Sequence, residues 1–150
     1  MTEFETRFEA NAQQAESWNT KAGPKWVRLD DPMNARLRPL ADELLSRVSL
    51  EGGESVLDVG CGGGATTAMI ASAIGGQGQV LVIDISEPLL EHARRGCSGF
   101  TNVSFENADA QVHKLPVSGF DVLVSRLGGM FFGDPYAAFE RSPSTLSRSL

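Results

Sequence analysis

The apolar positions of the chain fall into short β-branched runs separated by longer stretches with helical spacing. Ser55 to Val59 suits a buried strand, and it stops abruptly at Gly60. Ala65 to Ile74 then reads as a helix of small and apolar residues, ended by the Gly75 to Gly78 turn. Gln79 to Ile83 predicts a second buried strand with Asp84 at its C-terminal end. Ser86 is a good N-cap for the next helix, with Glu87 and Pro88 in its first turn and Leu89, Leu90 and Ala93 on one side. Arg94 and Arg95 fall in its last turn before Gly96, where cations favour the helix dipole. Val103 to Glu106 is a weaker third strand, Asn107 to Gly119 a loop, and Phe120 to Ser125 a fourth strand. Strands separated by helical segments predict an α/β domain with a doubly wound parallel sheet.

The N-terminal third reads differently. Phe4, Phe8, Ala12 and Ala15 predict a thin amphipathic helix over Thr2 to Ser17. Trp18 and Trp26 flank Gly23 and Pro24, a loop composition whose two aromatics either plug the edge of the core or cover a ligand site. Asp31 before Pro32 is a helix-start signal. Pro39 predicts a break, giving a short helix to about Arg38 and another from Pro39 to about Ser49, where Leu40, Leu44, Leu45 and Val48 repeat at helical spacing. Glu51 to Glu54 is the turn that feeds the first strand.

Composition narrows the function classes. The 150 residues make one domain's worth of chain, and 41% hydrophobic content supports a sizeable core. A net charge of −6 disfavours a phosphate-backbone-binding surface, hence no nucleic-acid partner is expected. Cys61 and Cys97 have no metal-ligand spacing, so no metal is expected. The N-terminus lacks signal-peptide character and no apolar run reaches the length of a membrane span, which sets a cytoplasmic expectation.

The chemistry is concentrated between Ser55 and Thr67, SVLDVGCGGGATT. Gly60, Gly62 and Gly64 alternate between a strand and a helix, a turn that brings backbone N–H groups and a helix N-terminus close to a bound group. Gly60, Gly62 and Ala65 also fit the dinucleotide pattern, with an acid about 20 residues on as the NAD rule requires. Asp58, Asp84 and Asp109 each fall at or just past a strand end, where the crevice of such a sheet opens. Three carboxylates repel phosphate and suit hydroxyls, an amine or a positive charge. Asp58 in particular would crowd a pyrophosphate, yet would accept from an ammonium group; it would otherwise orient the loop by bonding its N–H groups. This tilts the reading from NAD to S-adenosylmethionine.

At these residues the chain resembles the class I S-adenosylmethionine-dependent methyltransferases, in the branch that includes the ubiquinone and menaquinone biosynthesis methyltransferases. VLDVGCGGG, residues 56–64, matches the family's first motif, carrying Asp58, Gly60, Cys61, Gly62 and Gly64. VLVIDIS matches the second-strand motif, in which Asp84, with Ile85 beside it, would bind the ribose hydroxyls. NADAQVHKLP resembles the segment where Asp109 accepts from the adenine amino group and the Ala110 N–H reaches the ring. FDVLVSRLGGMFFGDPYAAFE resembles the fourth strand and following loop, with Ser125 and Arg126 at the methionine end; AESWNTKAGPKWV resembles the N-terminal lid. The resemblance implies a Rossmann-like sheet, S-adenosyl-L-methionine as cofactor and methyl transfer to a small-molecule acceptor. In the family catalysis rests on alignment of nucleophile, methyl carbon and sulfur, with a base only where the acceptor must lose a proton.

The sequence names no such base. His113 reads as a solvated or locally bonded histidine, His92 as a surface residue, Cys61 as a small residue in a crowded turn, and Asp109 has an Asx-turn alternative. The regions are then a helical lid over residues 1–50, a cofactor-binding half over 51–140 and a disordered tail over 141–150. Asp134 and Pro135 open a further helix, and RSPSTLSRSL after it has no apolar stripe. The expectation is a sheet that ends at its fourth strand, whose bare apolar edge invites self-association. Two other readings stand beside methyl transfer: a cofactor-binding but catalytically incompetent fragment, and an NAD-type oxidoreductase domain.

Overall fold

The computed structural model describes residues 3–114, 119–128 and 146–149. Three helices come first, α1 (Glu3–Thr20), α2 (Ala22–Arg28) and α3 (Asp30–Val48). The alternating part follows as β1 (Ser55–Val59), α4 (Ala65–Ile74), β2 (Gln79–Asp84), α5 (Glu87–Gly96), β3 (Val103–Asn107) and β4 (Phe120–Val124), with β5 (Leu146–Ser149) last. The strands lie in the order β3-β2-β1-β4-β5, every neighbour parallel. The order reverses between β1 and β4, and ligands of open parallel sheets bind beyond the strand ends at such a switch point.

Parallel strands buried on both faces need apolar residues at successive positions, and Val56, Leu57 and Val59 of β1 meet that need. One face gathers Val56, Val80, Val82, Val122 and Val124 against Ile70, Ile74 and Leu90 of the helices and Val48 of α3. The other face gathers Leu57, Val59, Ile83, Phe120 and Leu123. The register pairs Leu57 with Leu81 and with Leu123, so the carboxyl ends of β1, β2 and β4 are level. Ser86 caps α5 by accepting from Leu89 N–H at 3.4 Å, as its position predicts.

Four expectations are corrected. The Trp18 to Asp31 stretch is not a loop: Gly23 and Pro24 lie in the first turn of α2, where a proline removes no helical hydrogen bond. Pro39 does not break the third helix, which runs through it from Asp30 to Val48. Burial of Ala41 and Val48 holds that helix continuous, while Leu40 of the helically spaced set is 42% exposed. Finally, the sheet does not end at β4. Leu146–Ser149 pairs with it, Phe120 opposite Leu146 and Leu123 opposite Ser149. This segment of the expected disordered tail is a strand, and the edge proposed for self-association is occupied there. The helix expected at Asp134 and Pro135 lies outside the described residues.

Candidate functional site

A cavity of about 310 Å³ opens at the carboxyl ends of β1 and β2, a size within the range of small-molecule sites. Its floor is the glycine turn. Gly60 has φ +72, and its N–H donates to Ile83 O at 2.8 Å, which fastens the turn to β2. A Cβ at Gly60 would stand 2.7 Å from Gly128 Cα, so the close approach of the β4 loop requires glycine. Gly62 has φ +56 and a Cβ there would meet nothing within 4 Å, which leaves its backbone open to a ligand.

Asp84 lies beside this turn, 8% exposed. Its Oδ1 accepts from Ser86 N–H at 2.8 Å and its Oδ2 from Gly62 N–H at 3.3 Å. The Cys61 thiol and the Ile85 N–H also reach this carboxylate, which lines the cavity as an acceptor for a ligand's hydroxyls. Burial raises its pKa, offset in part by the N–H donors of Ser86 and Gly62. Asp109 also lines the cavity, accepting from Asn11 Nδ2 at 2.7 Å and from Gln111 N–H at 3.0 Å. The Asx turn and the pocket position expected of it coexist.

Of the other residues singled out in the sequence, Gly60, Cys61, Gly62, Ile85, Ala110 and Arg126 line the cavity. Asp58, Gly64 and Ser125 do not. Asp58 is 1% exposed beneath the turn, where its Oδ2 accepts from Thr67 Oγ1 at 2.6 Å. Burial, chiefly, pushes its pKa up to about 6; the Asp84 charge adds to this, and the Thr67 bond and Arg126 oppose it. It orients the turn through the first turn of α4, not through loop N–H groups. Gly64 packs against Ala93, and Ser125 Oγ donates to Val59 O at 2.9 Å, which ties the β4 loop to β1.

Arg126 is the one cationic side chain lining the cavity among the described residues. Burial lowers its pKa while the charges of Asp58 and Asp30 raise it, and Nη2 donates to Asn34 Oδ1 at 3.4 Å. Cys61 is buried and its thiol is pushed well above the usual range, which suits a packing role and not a nucleophile. Neither histidine lines the cavity. His113 pairs with Glu106 at 2.9 Å, a local bond as expected. His92 is not a plain surface residue: its Nε2 lies 2.9 Å from Asp30 Oδ2 and ties α5 to the start of α3.

The N-terminal helices supply the wall that the strand motifs leave open. Trp18 and Trp26 both line the cavity with ring centroids 6.3 Å apart, joined there by Gln14 and Leu37. Asn19 holds this layer down: its Nδ2 donates to Ile85 O and its Oδ1 accepts from Glu87 N–H, both at 2.9 Å. Ser86 Oγ adds a bond to Trp18 O at 2.8 Å. Sequence reasoning flagged both tryptophans but missed Gln14, Leu37, Leu89, Gln111 and Leu127. The Gln14 to Trp18 spacing on one helix face was one local signal and the nearness of Gln111 and Leu127 to Asp109 and Arg126 another; Leu37 depends on how α3 docks.

Residues 56–147 match the family model described as a methyltransferase domain. Aklanonic acid methyltransferase DauC of Streptomyces sp. (strain C5) is 33% identical over 117 residues, which cover 77% of this chain and 50% of that protein. Nocamycin O-methyltransferase of Saccharothrix syringae is 36% identical over 65% of this chain and 35% of its own length. The chain thus spans half or less of the length of these two relatives. Among solved structures, a SAM-dependent methyltransferase from Aquifex aeolicus superposes with a TM-score of 0.72 at 25% identity, over 83% of this chain and 66% of that one. The glycine turn, the acids placed against it and these matches agree, and the chain belongs to the class I S-adenosylmethionine-dependent methyltransferase family.

Proposed function

We propose that the chain binds S-adenosyl-L-methionine in the cavity beside the glycine turn and serves methyl transfer to a small-molecule acceptor. The observation that carries this is Asp84: its carboxylate lines the cavity beside the glycine turn, with its two oxygens anchored by the backbone N–H groups of Gly62 and Ser86. The donor set fits the cofactor, which offers ribose hydroxyls, an amino group and a sulfonium and carries no phosphate. It fits a dinucleotide poorly, because a second acid, Asp109, lines the same cavity.

Asp84 would hold the ribose, Asp109 and the Ala110 N–H the adenine, and Gly60, Cys61 and Gly62 the methionine portion along the turn. When bound, the cofactor supplies a methyl group activated on sulfonium. The chain's own contribution is placement. The apolar walls of Trp26, Leu37 and Leu127 exclude water and favour an apolar acceptor, while Arg126 is positioned to meet an anionic group. No histidine among the described residues lines the cavity, and alignment of acceptor, methyl carbon and sulfur is the contribution these residues make. We read the chain as one cofactor-binding unit with residues 1–50 as its lid. Among the described residues no helix is long and apolar enough to cross a membrane, and the two free buried thiols support a cytoplasmic setting.

Calorimetric titration with S-adenosylhomocysteine tests the reading. Binding is expected, and Asp84→Asn should weaken it by about 1 to 3 kcal/mol, the usual effect of losing charge-assisted hydrogen bonds. Tighter binding of NAD than of S-adenosylhomocysteine would overturn the reading. Binding with no methylated product across an acceptor panel would favour an incompetent fragment instead.

A further inference from the structure

Asp109 is held from an unexpected place. Asn11 lies 98 residues away on α1, outside the segment matched by the family model, and its Nδ2 donates to Asp109 Oδ2 at 2.7 Å. Gln111 Nε2 donates to Asn11 Oδ1 at 2.9 Å and reaches Asp109 Oδ1 at 3.4 Å. The Gln111 N–H takes the same Oδ1 at 3.0 Å. A carboxylate oxygen accepts about two hydrogen bonds. Oδ1 is therefore filled by Gln111, and Oδ2 keeps one acceptor position beside Asn11. The amide orientation is fixed by the network, since Asn11 Oδ1 faces a donor and Nδ2 faces an acceptor.

We infer that Asn11 is a specificity residue for the purine ring: it holds Asp109 so that the single open position on Oδ2 takes a 6-amino group and rejects a 6-oxo group. The inference rests on the cofactor reading above. A 6-amino group donates to that position, whereas a 6-oxo group would set one acceptor against another at a partly buried carboxylate. Asn11, Gln14 and Trp18 follow i, i+3, i+7 spacing on one face of α1, and the latter two line the cavity. Asn11 thus stands at the end of the face that α1 presents to the site. It is not needed simply to dock the helix, because Asn19 and the Trp18 carbonyl anchor α1 separately.

The test compares S-adenosylhomocysteine with S-inosylhomocysteine, which carries a 6-oxo group and an N1–H in place of the 6-amino group and bare N1, by calorimetry on the full chain. Two variants are used: Asn11→Ala, and Asn11→Leu, which keeps the volume and loses the donor without setting a second carboxylate against Asp109. Thermal melts confirm that each folds. Affinity for S-adenosylhomocysteine should fall about tenfold in both variants, because the carboxylate is no longer held in place for the 6-amino group, while affinity for S-inosylhomocysteine changes less than about twofold. Equal losses on the two ligands would make Asn11 a structural residue and overturn the inference. Unchanged or tighter binding of S-adenosylhomocysteine would overturn it too, the latter because Asn11 would then compete with the ligand. If the unmodified chain binds neither ligand, the cofactor reading itself fails, an outcome separate from these.

Discussion

Asp58 makes the folded protein bind a proton that the unfolded chain releases. Its carboxyl is 1% exposed, and its pKa in the fold is about 6 against an ordinary 3.8, with burial as the main cause. Between those two values the folded state is protonated at Asp58 and the unfolded state is not, so stability falls as pH rises. The contribution is fully present below pH 3.8 and gone above about pH 6. A displacement of about two pH units corresponds to about 3 kcal/mol at the usual 1.4 kcal/mol each. Asp58→Asn removes the titration and keeps the shape and the oxygen that Thr67 Oγ1 donates to. Burying the new amide N–H groups has its own cost, but that cost does not vary with pH.

The stability difference between Asp58→Asn and the unmodified chain should therefore move in favour of the variant by about 2 kcal/mol between pH 4 and pH 7, most of the full contribution. Urea unfolding of both proteins at unit steps from pH 4 to 8 measures it. Asp84, whose pKa burial also raises, titrates in both proteins and largely cancels. Parallel stability curves across this window would refute the reasoning: the carboxyl would then be hydrated, or the Thr67 bond and Arg126 would outweigh burial.

Two other substitutions probe the turn and the long helix. Gly60→Ala places a Cβ 2.7 Å from Gly128 Cα at φ +72, and should lower stability by at least about 2 kcal/mol in thermal melts and weaken S-adenosylhomocysteine binding; a neutral effect would mean the β4 loop is not packed on the turn. Pro39→Ala restores a backbone donor in the middle of α3 and should raise the unfolding free energy measured in urea by about 1 to 2 kcal/mol, after the lost rigidity of the unfolded chain is set against the gain. A loss of stability there would show that the proline is accommodated without cost.

The parallel part of the fold was legible because its signals are local. Val56 to Val59 stop at a glycine, Ser86 is followed by a charged first turn, and each strand carries its own β-branched run, so boundaries came within a residue or two. Where tertiary contacts outweigh local preference, the reading failed. Gly23 and Pro24 sit in a helix because that helix packs against α5, and Pro39 is carried through because Ala41 and Val48 are buried on its far side. The 146–149 strand has almost no apolar content of its own; pairing along β4 supplies what its sequence lacks.

The same division runs through the site. The sequence determined that glycines and acids stand at the ends of adjacent strands, because strand, turn and helix follow from neighbours in the chain. It did not determine which acid reaches the ligand. Asp58 stands level with Val82, two residues short of Asp84 along the sheet, and bonds Thr67 beneath the turn, while Asp84 at the strand end meets the N–H groups of Gly62 and Ser86. Nor did it place Asn11 on Asp109, since a contact across 98 residues depends on docking a helix and not on any local pattern. Backbone geometry is written in short stretches of sequence, whereas the direction of a buried carboxylate is set by whichever donors the folded chain brings to it.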